Sequence, residues 1–189
     1  MTPADRTTLT TTLARLCGDI ATDLRTRILA GGPAGERARQ LHRDERVGED
    51  FAVWTDLLSR RAAVLWVLKS VYVRVLEDRG LLSPLRIKDL ESQDLFERLA
   101  PNLGETAYLR WVYVDLASPN GGLAELFAPQ PAEVAEPSDA LSRRLMDLWR
   151  DRDPDTGLLR WRFDDEHFDG QLMGDLYQDL DHQLAVGVF

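Results

Sequence analysis

Apolar residues recur along this chain at three- and four-residue steps, and short runs of Gly, Pro, Ser and Asp interrupt them. In residues 10–30 the stripe is Leu13, Leu16, Cys17, Ile20, Leu24 and Ile28, the pattern of an amphipathic helix. Gly31, Gly32 and Pro33 end it. Residues 34–47 are charged and poor in apolar positions; they predict either a mobile connector or the second arm of an N-terminal hairpin. Residues 51–79 are different. Phe51, Trp54, Leu57 and Leu58 lead into an unbroken apolar run at 62–68, and Val71, Tyr72, Val73, Val75 and Leu76 follow. A helix that is apolar nearly all round belongs in the middle of a domain. Burying several such side chains stabilises by roughly 1.5–3 kcal/mol each before entropy is subtracted, so this helix is expected to nucleate the core. Gly80 suits its C-terminal cap.

The second half reads as shorter elements. Ser83-Pro84 opens a turn, and residues 85–99 carry a helical pattern in Leu90, Leu95, Phe96 and Leu99. Pro101 begins another element. Tyr108, Leu109, Trp111, Val112, Val114 and Leu116 follow; they predict a helix, although Val112-Tyr113-Val114 leaves a strand open. Residues 118–122 are turn-like, 123–127 suit one helical turn, and 129–137 form a loop with Pro129, Pro131 and Pro137. Ser138 is placed to cap a helix at 139–150, with Leu141, Leu145, Leu148 and Trp149 on its apolar face. Residues 153–157 are a turn and 158–163 a short tail. A final helix is expected near 168–184, carrying Leu172, Met173, Leu176, Tyr177 and Leu180. The fold class is therefore mainly α: an irregular helical bundle around a buried central helix at about 51–79. Residues 1–47 would supply an amphipathic helix and charged connector, and 48–189 the helical domain.

Charge changes the picture along the chain. The net charge is −9 over 189 residues. Residues 1–86 hold 14 Lys and Arg against 11 Asp and Glu, while residues 87–189 hold 9 against 21. An acidic surface repels DNA phosphates at long range, so any nucleic-acid contact falls to the first half. There Arg37, Arg39, Arg43, Arg46, Arg60 and Arg61 are the candidate DNA contacts, against the plainer reading of a solvated, mixed-charge helix surface. The single cysteine, Cys17, sits among Leu13, Leu16 and Ile20. It reads as a buried thiol in a reducing compartment. With no apolar signal core and no run of roughly 20 apolar residues, the expectation is a cytoplasmic protein without a membrane partner.

Candidate chemistry is sparse. Gly31-Gly32 and Gly121-Gly122 are isolated pairs, and neither a dinucleotide-binding glycine pattern nor a phosphate loop occurs. An amino-methylating enzyme needs an Asn/Asp-Pro-Pro-aromatic signature to hold a flipped base, and this is absent. Zinc-type Cys and His spacings are absent as well. No catalytic, cofactor-binding or metal residue is nominated. The run Asp164, Asp165, Glu166, His167, Asp169 could hold a hard cation, but it reads more simply as a solvated loop and helix N-terminus. Tyr72, Trp66, Trp111 and Trp149 could stack on bases, but aromatics spaced among Leu and Val are expected to be core.

Three stretches carry a resemblance. The first is residues 61–82, with Tyr72-Val73-Arg74 followed by Glu77-Asp78-Arg79-Gly80-Leu81. The second is the helix pattern at 141–152, ending Trp149-Arg150-Asp151-Arg152. The third is 168–180, where Gly174-Asp175-Leu176-Tyr177-Gln178-Asp179-Leu180 is the most specific match. In order and spacing, over roughly residues 50–182, these resemble the N-terminal region of the large PglX-type adenine-specific DNA methyltransferases of BREX phage-defence systems, with related DISARM enzymes similar. The family continues into a Thr-Pro stretch and a cofactor-binding fold, while this chain stops at Phe189, so the expectation is either a fragment or a stand-alone relative.

The resemblance implies a non-catalytic helical module that precedes a methyltransferase domain and positions DNA or partner domains. The full-length relative would be a DNA adenine-N6 methyltransferase using S-adenosylmethionine; this chain itself would hold no cofactor. Implied partners are a methyltransferase domain or subunit, DNA, and other phage-defence proteins. Leu172, Leu176, Tyr177, Leu180 and Phe189 are the candidate interdomain contacts, the alternative being a final helix folded back on its own core. The competing functional reading is a free-standing acidic interaction protein, a DNA mimic or a regulator of a defence system.

Overall fold

The computed structural model describes residues 1–118, 123–164, 174, 177 and 178. Among them seven helices follow one another: α1 (Pro3–Leu29), α2 (Gly32–Asp44), α3 (Phe51–Asp78), α4 (Glu91–Leu99), α5 (Gly104–Ala117), α6 (Leu123–Phe127) and α7 (Asp139–Arg150). The fold is mainly α, as the periodicity predicts. None of the described helices is long and apolar enough to cross a membrane.

Helix α1 starts seven residues earlier than its apolar stripe implies. Thr2 and Asp5 form a reciprocal capping box around Pro3, which satisfies amide donors that a helix start leaves open. The threonines that follow bond their own helix, Thr7 Oγ1 to Pro3 O and Thr8 Oγ1 to Ala4 O at 3.1 and 3.0 Å. A polar first turn is thereby made helical without any core contribution. Leu13, Cys17, Ile20 and Leu24 are fully or almost fully buried in one cluster with Ala63, Val67 and Val71 of α3.

The centre of the molecule is α3. Its C-terminus closes with Gly80 at φ +68, the amide of Gly80 on Glu77 O and that of Leu81 on Leu76 O. That pair of bonds is the Schellman arrangement, which a residue without Cβ adopts most readily. Residues 104–117 settle as helix α5 and not as strand. Tyr108, Leu109 and Val112 all reach the core at 0% exposure, and their three- and four-residue spacing is helical. Ser138 caps α7 as expected, accepting the amide of Leu141, and α6 covers the expected turn at 123–127. On α7, Trp149 is fully buried and donates its indole N–H to Ser70 Oγ at 2.9 Å.

Two segments depart from expectation. The predicted helix at 85–99 forms only over Glu91–Leu99. The amides of Arg86, Ile87 and Lys88 all donate to the Glu77 carboxylate, so they are committed to a side chain and cannot close helical turns. Arg150 of α7 fastens the same stretch from outside, donating to Ile87 O and Asp89 O. The tail at 158–163 is not peripheral either. Asp153 organises the preceding turn by accepting the amides of Asp155 and Thr156. Leu159, Trp161 and Phe163 are then buried at 7%, 4% and 2% exposure.

Candidate functional site

Arg74, Glu77 and Asp78 fall on consecutive turns of α3 and form a buried ionic knot. The Arg74 guanidinium is 0% exposed. It donates to Glu77 Oε2 at 3.0 Å, to Asp78 Oδ2 at 3.0 Å and to Trp161 O at 3.2 Å. Asp78 also accepts Lys88 Nζ and the amide of Phe163, while Glu77 accepts the three amides of the 86–88 stretch. One motif therefore ties α3 to the connector before α4 and to the 158–163 stretch. Its carboxylates are fully engaged inside the protein. The chemistry they can do is structural: the carboxylates compensate a buried cation, whose Nη1 and Nη2 are bonded while its Nε has no hydrogen-bond partner among the described residues.

Other charged residues of the first half behave as struts. Lys69, 3% exposed, bonds both oxygens of Glu133 at 2.7 and 2.8 Å. Arg37 donates twice to Val134 O, at 3.0 and 2.8 Å. Together they pin the proline-rich 129–137 loop to α2 and α3. Arg37 thus stands apart from the rest of the candidate DNA-contacting set. Arg39 and Arg43 lie one turn apart on α2; Arg39 stacks over Phe51 at 5.0 Å and Arg43 bonds Gln40. Arg46 sits at the C-terminus of α2 with φ +53. Arg60 pairs with Asp56 at 2.9 Å, and Arg61 is exposed on the next position of α3. The six arginines are spread over two helices and more than one face.

A groove of about 440 Å³ opens between α2, α3 and the 130–132 loop. Trp54, Leu57 and Leu65 of α3, Leu41 of α2 and Pro131 give it apolar walls, and Arg61 and Glu45 bring opposite charges to it. Tyr177 also lines this groove and is 48% exposed. His42, Phe51 and Trp54 brace the α2–α3 corner beside it, with ring centroids 5.0–6.1 Å apart.

The remaining candidates separate cleanly. Of the acidic run only Asp164 is described, and the rest of it lies outside the described residues. Among the described residues no group of three or more His, Cys, Asp or Glu is placed to hold a metal. Leu172, Leu176, Leu180 and Phe189 lie outside the described residues, so of the proposed interdomain contacts only Tyr177 is placed. Trp66 and Trp149 are core and Tyr72 is half-buried against it, while Trp111 stays 38% exposed beside Phe96, with Arg86 5.2 Å from its ring. Cys17 is free and buried, and burial pushes its thiol far above the ordinary range. Burial likewise pushes the Tyr113 phenol well up; its O–H donates to Trp66 O.

Over 93% of its length the chain is 30% identical to the adenine-specific methyltransferase PglX of Streptomyces coelicolor. The match spans only 16% of that relative. A distant relationship to PglX follows, and the greater part of PglX has no counterpart in the residues here. No protein-family model matches the chain. No solved structure matches it.

Sequence reasoning missed the strut pairs. Lys69 and Arg74 were visible as charges inside an apolar helix, and a cation there requires a buried partner. Glu133 lies 64 positions from Lys69 and Trp161 lies 87 from Arg74. No local pattern joins residues that far apart.

Proposed function

We propose that this chain is a non-catalytic helical module of a PglX-type system, acting beside a DNA adenine methyltransferase domain to position DNA or partner domains in bacterial phage defence. The observation that carries this reading is the similarity to PglX across 93% of the chain but a minor part of that enzyme. The interior is consistent with it. The conspicuous charged motif, Arg74 with Glu77 and Asp78, is buried and its carboxylates are taken up by amides and cations of the chain itself. Arg39, Arg43 and Arg61 are the surface cations best placed to meet phosphates, and phosphate contacts orient a protein on DNA without reading sequence. Methyl transfer and S-adenosylmethionine binding belong, in this reading, to the partner domain.

The test is reconstitution. The catalytic part of a PglX enzyme is assayed for adenine methylation of duplex DNA with and without this chain supplied in trans. The expected outcome is a rise of at least several-fold in methylation and co-elution of the two polypeptides. Methylation by this chain alone, or no co-elution and no change in rate, would sink the reading. Titration calorimetry with S-adenosylmethionine is expected to give no heat with this chain.

A further inference from the structure

Helices α4 and α5 meet along an aromatic seam. The Phe96 ring lies 5.4 Å from Tyr108 and 5.7 Å from Trp111. The Arg86 guanidinium stands 5.2 Å from the Trp111 ring and is tied to Asp115 at 3.0 Å. Trp111 is thereby held in place while part of it stays open to solvent. Around it the surface is apolar. Leu95 of α4, Leu103 at the start of α5 and Val114, one turn on from Trp111, are each at least half exposed, and Leu99 is 77% exposed. Helix α5 sends Tyr108, Leu109 and Val112 into the core and Trp111 and Val114 outward, so it is apolar on both sides. Such a helix is normally covered all round, and a contiguous bare patch of this kind marks an interaction site. A fixed, partly open tryptophan is a typical anchor for one, because little freedom is lost when it is covered.

The rim of the patch limits what can cover it. Glu91, Asp94 and Glu97 are exposed on α4, and among the described residues none of them has an ion-pair partner; Glu97 accepts the neutral amide of Gln93. Arg98 is the one cation of that helix. A second copy seated across a two-fold axis would bring two acidic rims together, and DNA phosphates would be repelled. An apolar centre edged by Lys and Arg is the complement. A domain that methylates DNA has that character, since it needs cations for the phosphates, and the part of PglX outside the match is much larger than the part inside it. We propose, resting on the function given above, that the α4–α5 face docks this chain on the methyltransferase domain of a PglX-type system, with Trp111 and Leu99 entering an apolar patch edged by Lys and Arg.

The test titrates this chain into a PglX enzyme that lacks the matched region, in a preparation that still binds S-adenosylmethionine. Hydrogen exchange in the complex should slow several-fold in peptides covering 91–117 and stay unchanged in α2. Leu99→Asp should weaken the complex at least tenfold and leave the melting curve of the chain unchanged, because Leu99 is mostly outside the core. Asp94→Lys combined with Glu97→Lys should weaken it several-fold at low salt and much less at high salt. Leu57→Asp, at an exposed position of α3, should leave the affinity as it is. A complex that resists both the Leu99 and the lysine variants, or that weakens only with Leu57→Asp, overturns the docking face while the proposed function stands. A dimer of this chain that Leu99→Asp dissociates gives the face to a second copy and overturns it too. No complex with the unaltered chain overturns both.

Discussion

Arg74 shows how much one residue organises here. Its guanidinium is wholly buried, and its partners Glu77 and Asp78 each carry a second set of bonds into a different part of the chain. Removing the cation leaves the buried Glu77 carboxylate with amide donors only and Asp78 with Lys88 as its remaining cation. Breaking a buried pair from one side costs about 3–5 kcal/mol, so Arg74→Met should lower the unfolding free energy by that amount in urea melts. By contrast Arg144→Ala breaks only an exposed pair with Asp19, whose side chains are 53% and 46% open, and should change stability by under about 1 kcal/mol. If the two variants melt alike, the knot is not what holds the tail to α3. At this scale the residue types were legible and their partners were not. Lys69 and Arg74 announce themselves by sitting in an apolar run, whereas Arg37 looks in sequence like any surface arginine of a charged helix.

At the scale of elements, termini decided more than propensities. The threonine-rich start of α1 has no apolar stripe, yet it is helical because Thr2 and Asp5 close a capping box. The 85–90 stretch has a helical pattern, yet a single carboxylate, Glu77, takes its amides. Helix α2 ends with the amide of Val47 on His42 O and Arg46 at φ +53. That is the position glycine normally fills, as Gly80 does after α3. An L-residue there is disfavoured by roughly 1–2 kcal/mol, partly offset by the entropy a glycine loses on folding. Arg46→Gly should therefore stabilise the chain by about 0.5–1 kcal/mol, measured by the urea midpoint at constant slope. A loss of stability instead would show that the Arg46 side chain makes a contact worth more than the backbone relief. Helix α5 carries the same lesson about packing. The Val112-Tyr113-Val114 run left a strand open, and burial of Tyr108, Leu109 and Val112 on one face resolved it as helix.

For the whole molecule, the question is how a chain of net charge −9 would meet DNA. The arginines of the first half are divided: Arg37 is a strut, Arg60 is paired with Asp56, and Arg39 with Arg43 occupies a separate side of α2. Only two or three could reach one phosphate backbone together. Each neutralised phosphate adds about −0.9 to the slope of log affinity against log salt, so a shallow slope of roughly −2 to −3 is expected for duplex DNA. Arg43→Ala should weaken it by about one unit. A slope near zero would remove DNA from the list of partners. A slope far steeper would mean that the scattered arginines act as one surface.

The periodicity of apolar residues by itself determined that this protein is helical, that residues 51–79 form its centre, and where most helices stop. Those properties follow from side-chain spacing and from capping within a few residues. The tertiary structure alone decided which charges are architecture, how the 84–90 and 158–163 stretches are held, and that α2, α3 and the 130–132 loop enclose a groove with Tyr177 against it. The physical reason is the low polarity of the interior. A buried cation must find its carboxylate wherever the fold brings one, and that meeting, between residues scores of positions apart, has no signature in either neighbourhood.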